Sequence, residues 1–254
     1  MLLLRPTSIA KFLAVVVLVA SACLAATVVA VAPADQPGEQ ARGETPADKP
    51  LPVDLAPYCS MKAAAFEKST RYPWPAVPRG SQTFAKVPVE ISGAMFLWGE
   101  RNDQLGLKYP EEIKGIAIKR KFETLYVCHA AFFEGEAGKP MCEVKFQYQD
   151  GTTASDAILC GKDARDWYVK PTDKTPGPSG PRSTLAWKGD GKVGDRVQTI
   201  RFCLTAIANP YPDKVVTTID LVSSKTQTAA CILAITTGKA GLLKKQEATP
   251  ARDE

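Results

Sequence analysis

A single histidine, His129, serves the whole chain of 254 residues. That scarcity excludes most hydrolytic machinery, which needs an imidazole base placed by a third group. The sequence also has no G-x-S-x-G elbow, no H-E-x-x-H helix, no phosphate-binding glycine loop and no dinucleotide fingerprint. None of its seven cysteines forms a C-x-x-C pair, so the usual zinc spacing is missing. Cys128 precedes His129, but neighbours on a strand point to opposite faces, which rules out a dyad. Charge of one sign does not dominate. The chain has 32 Lys and Arg against 27 Asp and Glu, with no polybasic stripe, which excludes nucleic acid as a partner. Helix signals are few and short: MKAAAFEK at 61–68 and a segment around DARDWY at 163–168.

Long apolar runs are confined to one place. Residues 12–32 are uncharged and almost wholly apolar, and Arg5 and Lys11 precede them. This is an export signal, with cleavage or retention as a membrane anchor both open. The stretch Ala20-Ser21-Ala22-Cys23 is a weak lipoprotein box. In every case the bulk of the chain is expected outside the cytoplasm. Residues 33–56 are rich in Pro, Gly, Ala and charge, and read as a linker. Residues 57–238 form the domain, and 239–254 a disordered tail.

Within the domain, apolar residues recur with period two. In MCEVKFQYQ, 141–149, Cys142, Val144, Phe146 and Tyr148 share one face. Asp150-Gly151 then predicts a two-residue hairpin turn that sets Lys145 against Asp156 and turns Cys160 away from Cys142. Further strands are expected at 84–91, 94–99, 115–119, 125–133, 196–206, 214–223 and 229–236, with loops at 171–182 and 188–195. Short strands separated by Gly- and Pro-rich turns predict an all-β, antiparallel sandwich.

Some residues carry candidate chemistry. If Cys23 is lost with the signal, six cysteines remain, and at least one disulfide is expected in an exported chain, with buried thiols as the alternative. Asp190 and Asp195 in KGDGKVGD are weak calcium candidates, a plain turn being the simpler reading. Asp163, Asp166, Asp190 and Asp195 are loop acids whose spacing does not favour a carboxylate pair. Trp167 and Trp187 lie beside loops, where flat aromatic faces flanked by polar groups suit sugars and where core packing suits them as well.

The phrases VDLAPYCS (53–60), PRGSQTFAKVPVEISG (78–93), LYVCHAA (125–131), VKFQYQDGTTASDAILCGKDARDW (144–167), LAWKG (185–189), NPYPDKVVTTIDLVSS (209–224) and ILAITTG (232–238) occur in this order. As an ordered set they resemble the galactose-binding-like β-sandwich (jelly-roll) modules of exported bacterial proteins, similar to carbohydrate-binding modules attached to glycoside hydrolases. The resemblance implies a non-catalytic domain that binds carbohydrate and is sometimes calcium-stabilised. No catalytic domain is attached, Cys residues stand at apolar positions, and Ile207 stands where an aromatic is common. The sugar-site candidates are His129, Asp150, Trp167, Trp187 and Asn209. No resident cofactor is expected beyond a possible structural calcium, and the membrane is a partner only through an uncleaved N-terminus. The rival expectations are a structural or protein-interaction domain displayed at a membrane surface, and, last, a carboxylate-based hydrolase.

Overall fold

The structure is a computed structural model, and it describes residues 49–69, 74–173, 177–193 and 196–243. The signal or anchor segment, most of the linker and most of the tail lie outside the described residues, as does Asp195.

Thirteen strands follow in chain order. They are β1 (Leu51–Pro52), β2 (Met61–Lys62), β3 (Gly80–Phe84), β4 (Val87–Ile91), β5 (Gly93–Phe96), β6 (Glu112–Arg120), β7 (Thr124–Phe132), β8 (Pro140–Tyr148), β9 (Thr153–Leu159), β10 (Ser183–Val193), β11 (Arg196–Ala208), β12 (Val216–Ser223) and β13 (Ala229–Gly238). All named strand pairs are antiparallel. The larger sheet runs β10-β11-β7-β13-β5-β2, with β1 on β13, and the second runs β6-β12-β8-β9. The all-β sandwich expectation therefore holds.

The larger sheet is covered on both faces. Every residue of β7 and of β13 is buried. That explains why both strands read as near-continuous apolar runs rather than alternating ones. Leu125, Val127 and Ala131 of β7 face the second sheet, in a core with Val144, Phe146, Ile219 and Leu221. Tyr126, Cys128, Ala130 and Phe132 face the opposite core with Trp74, Phe96, Trp167 and Phe202. The β3–β4 hairpin covers part of that second face, over β13 and β1. Strand β1 extends the fold upstream of residue 57: Val53 and Leu55 are buried, and the Val53 N–H donates to the Ile235 carbonyl at 2.8 Å.

Several local expectations are corrected. The stretch 84–91 is two strands, because Ala85 and Lys86 (φ 46° and 72°) make a tight turn without a glycine to announce it. The β8–β9 hairpin has a three-residue loop. Only Gly151 of the Asp150-Gly151 pair has positive φ (82°), while a two-residue type I′ turn needs it at both positions. Register slips by one, so Asp156 pairs with Val144, and Lys145 with Ser155. Asp156 is instead bonded to Arg182. Cys160 ends in the same core as Cys142 rather than facing away from it. The expected loop 188–195 is largely strand β10. Residues 61–68 make a two-residue strand and a short 3₁₀ turn instead of two helical turns. The one α-helix among the described residues, α1 (Glu100–Gln104), was not anticipated.

No disulfide forms among the described residues: Cys59, Cys128, Cys142, Cys160, Cys203 and Cys231 are free and buried. They act as small hydrophobes split between two cores. Burial pushes the thiols of Cys128, Cys142, Cys203 and Cys231 upward, which keeps them protonated and inert.

Candidate functional site

The central sheet forks. Strands β7 and β11 pair from Thr124↔Ala208 up to His129↔Cys203, and no further. Beyond that pair, residues 165–169 insert between them. On one side, the Ala131 N–H donates to the Arg165 carbonyl (2.9 Å) and the Trp167 N–H to the Ala131 carbonyl (2.8 Å). On the other, the Arg201 N–H donates to the Trp167 carbonyl (2.7 Å) and the Val169 N–H to the Thr199 carbonyl (2.8 Å). The expected helix at 163–168 is therefore a wedge that satisfies the backbone of two diverging strands.

Charge holds the wedge. Asp173 accepts from Arg165 (3.2 Å) and from the buried Arg201 (2.7 Å), one on each carboxylate oxygen. Glu134, just after β7, accepts from the Arg165 Nε and from the Asp166 N–H at 3.1 Å. Asp166 itself is buried. Its Oδ2 lies 3.8 Å from Lys170 Nζ, and its Oδ1 has no hydrogen-bond partner in the protein. Burial first, with Glu134 adding, pushes the Asp166 carboxyl up to about 6 against the pull of Lys170 and Arg201.

At the branch point, a polar chain runs through the protein. His129 Nε2 is hydrogen-bonded to Thr205 Oγ1 (2.7 Å), Thr205 to Ser183 (2.9 Å), and Ser183 donates to Asp163 (2.8 Å). Ser183 spends its proton on Asp163, so Thr205 donates to Ser183 and His129 Nε2–H donates to Thr205. Burial pushes Asp163 up, but Arg182, the Leu159 N–H and Ser183 outweigh it and hold the carboxyl below its ordinary value. Burial lowers His129 to about 4, with Nδ1 unpartnered. The Ser-His-Asp composition suggests a nucleophile, but the hydroxyl of Ser183 is buried and committed to Asp163. Cys128 lies in the aromatic core, away from this chain.

The five sugar-site candidates do not converge. His129 is in the buried chain. Trp167 is 5% exposed and stacks on Phe132 (centroids 5.1 Å, 7°) in the core. Asp150 is exposed in the β8–β9 turn, where Lys214 (2.7 Å) and Thr152 hold its carboxyl well below the usual range. Asn209 is buried beneath that turn, accepting from Tyr148 Oη and from the Tyr211 N–H, and donating to the Phe122 carbonyl. Asp150, but not Asn209, lines an open hollow, together with Lys121, Gln149, Asp213, Lys214 and Val215. Asp190 is exposed on β10 opposite Thr199, and no group of metal-ligating side chains is positioned to hold an ion among the described residues.

Trp187 is different. It is half-buried on β10, the edge strand of the larger sheet, and its ring lies across Gly189. A Cβ at Gly189 would sit 2.4 Å from the Trp187 ring, so only glycine admits the indole there. Gly189 pairs with Ile200, and Ile200 bridges to Tyr168 of the wedge. Half-buried Trp187 and Tyr168 thus flank a fully buried Ile200 on one sheet face. In the next row Gln198 pairs with Gly191, and its buried Oε1 has no partner in the protein. Two aromatics and one unspent amide oxygen form a platform rather than a cleft. Tyr168, Gln198 and Gly189 were not singled out in the sequence. The signal that reveals them is Trp187-Gly189-Gly191, an aromatic followed by glycines at period two.

Against known proteins, the chain matches no family model and no curated protein sequence.

Proposed function

We propose that the chain is an exported, non-catalytic binding module of galactose-binding-like type that takes carbohydrate on the Trp187–Tyr168 platform. The observation that carries this reading is the Trp187 indole, lying across Gly189 and only partly buried at a sheet edge. A pyranose presents an apolar C–H face to such a ring and its hydroxyls to polar groups at the rim, which is the general anatomy of small-ligand sites. Gln198, in the row next to Ile200, and Lys170, 5.9 Å from the Tyr168 ring on the same segment, place polar groups beside this face. The buried state of His129 and Trp167 removes them from ligand contact in this reading, and the site moves from the loops to the β10–β11 edge.

A glycan array probed with the wild-type chain and with Trp187→Ala tests it. Wild type binds one class of glycan, and the variant loses at least roughly tenfold in affinity, about 1.4 kcal/mol. Absence of any glycan binding by the wild type, or equal binding by the two, overturns the reading.

A further inference from the structure

The wedge carries an oddity that the platform does not use. Of the three aspartates around it, Asp163 and Asp173 are saturated with donors, each meeting at least one arginine. Asp166, between them, has the Glu134 backbone N–H as a donor beside its carboxylate, and its Oδ1 has no hydrogen-bond partner in the protein. The groups that face it are Glu134 from beyond β7, Arg201 from β11 and Lys170 from its own segment. Arg201 aims its Nε at the Asp166 carbonyl (2.8 Å) and its Nη2 at Asp173 (2.7 Å) and the Tyr168 carbonyl (3.3 Å). Glu134 adds a second negative charge on the Asp166 amide. The remaining cation, Lys170, is 44% exposed and 3.8 Å away. An ionised carboxylate here is buried with one oxygen unsatisfied, a costly arrangement; a neutral one is not.

We propose that Asp166 is a proton-operated catch for the wedge: with its carboxyl neutral, residues 165–169 are seated in the fork of the central sheet, and with its carboxyl ionised the wedge loosens. The proton comes from and returns to solvent. The sign follows from the buried site. Its folded value, raised to about 6 from 3.8, means that stability from this group is present in acid and is lost as pH rises through the folded value. Tyr168 rides on the wedge, so the platform opens and closes with it. Ligand affinity therefore falls from pH 5 to pH 7; this last statement rests on the carbohydrate reading, and the catch itself does not.

Hydrogen exchange on the full chain separates the two. After correction for intrinsic exchange rates, protection of the Trp167, Val169 and Arg201 amides falls about tenfold between pH 5 and pH 7, as linkage over that interval requires. The amides within the continuous β7–β11 pairing, such as Thr205, keep their protection. Asp166→Asn flattens the pH dependence. Glu134→Gln, which removes the neighbouring charge, moves its midpoint to lower pH, an effect a purely structural role does not produce. A flat wild-type profile overturns the catch, and so does a pH dependence that survives Asp166→Asn. If Asp166→Asn does not fold, the wild-type profile and the Glu134→Gln midpoint decide alone. A chain that binds no glycan yet shows the pH-dependent exchange retains the catch and loses only the sugar reading.

Discussion

The two ends of β11 are built from similar residue types and behave in opposite ways. At the Ala208 end, β7 and β11 stay paired and every polar group named there is committed. The Asn209 amide meets Tyr148, Tyr211 and Phe122, while Lys214 reaches Asp150 and Thr152 and stands 4.8 Å over the Tyr211 ring. At the Arg196 end the sheet forks, a wedge fills the gap, and two buried acceptors, Gln198 Oε1 and Asp166 Oδ1, are left without partners. The hollow at the first end has a polar lining, with an exposed Tyr211 near it, and its Asp150 and Lys214 are spent on each other and on Thr152. The flat edge at the second has groups to spare. Concavity and charge alone point to the hollow, whereas the site proposed above lies at the forked edge. What distinguishes a waiting site is the unspent hydrogen-bonding capacity beside an accessible aromatic.

That contrast can be stressed from its largest consequence downward. The branch point should respond first to acid. His129 is neutral and fully buried in the fold at about 4, against 6.5 when exposed, so unfolding gains a proton as pH falls through that interval. Stability from this group declines by up to about 3 kcal/mol between pH 6.5 and pH 4. Asp166 works the other way over nearly the same range, so the clean measurement is thermal unfolding of Asp166→Asn against pH. A Tm that does not fall in acid contradicts the neutral, buried assignment of His129.

Next comes the committed end. Asn209→Ala strips partners from buried Tyr148 and from the Phe122 carbonyl and should cost about 2 kcal/mol in urea unfolding, with glycan affinity unchanged. A loss of affinity with little loss of stability would move the binding site to that end. The smallest effect belongs to Gly189→Ala. The added Cβ collides with the Trp187 ring, so the indole must lift from the strand. About 1 kcal/mol of stability goes with it, and glycan affinity drops because the flat face is tilted. Full retention of affinity would show that the indole face is not the contact.

The fold was legible wherever one rule sufficed. Period-two alternation located β8 most clearly, and β7, β12 and β13 fall where strands were expected at 125–133, 214–223 and 229–236, because burial writes itself directly into residue type. The errors arose where backbone conformation outvoted composition. Ala85 and Lys86 turn the chain without glycine, and Gln149 joins the Asp150-Gly151 turn to shift the register by one. The glycines of KGDGKVGD read as a loop, yet Gly189 and Gly191 are strand residues that make room for Trp187 and for Ile200. Trp187 was visible in the sequence as a candidate. Its neighbours were not, since Tyr168 and Gln198 are brought to its side only by the pairing of β10 with β11 and of β11 with the wedge. The wedge could not be read at all: nothing local in DARDWY says that β7 and β11 part company beyond His129.

In the proposed function, ligand sits at the forked end, on Trp187. Intrinsic tryptophan fluorescence titrated with the glycan found to bind the wild type measures this directly, in wild type, Trp187→Phe and Tyr211→Ala. The account predicts a saturable change in wild type and Tyr211→Ala, and none in Trp187→Phe. A response that persists in Trp187→Phe and disappears in Tyr211→Ala would contradict it and place the site at the other end of β11.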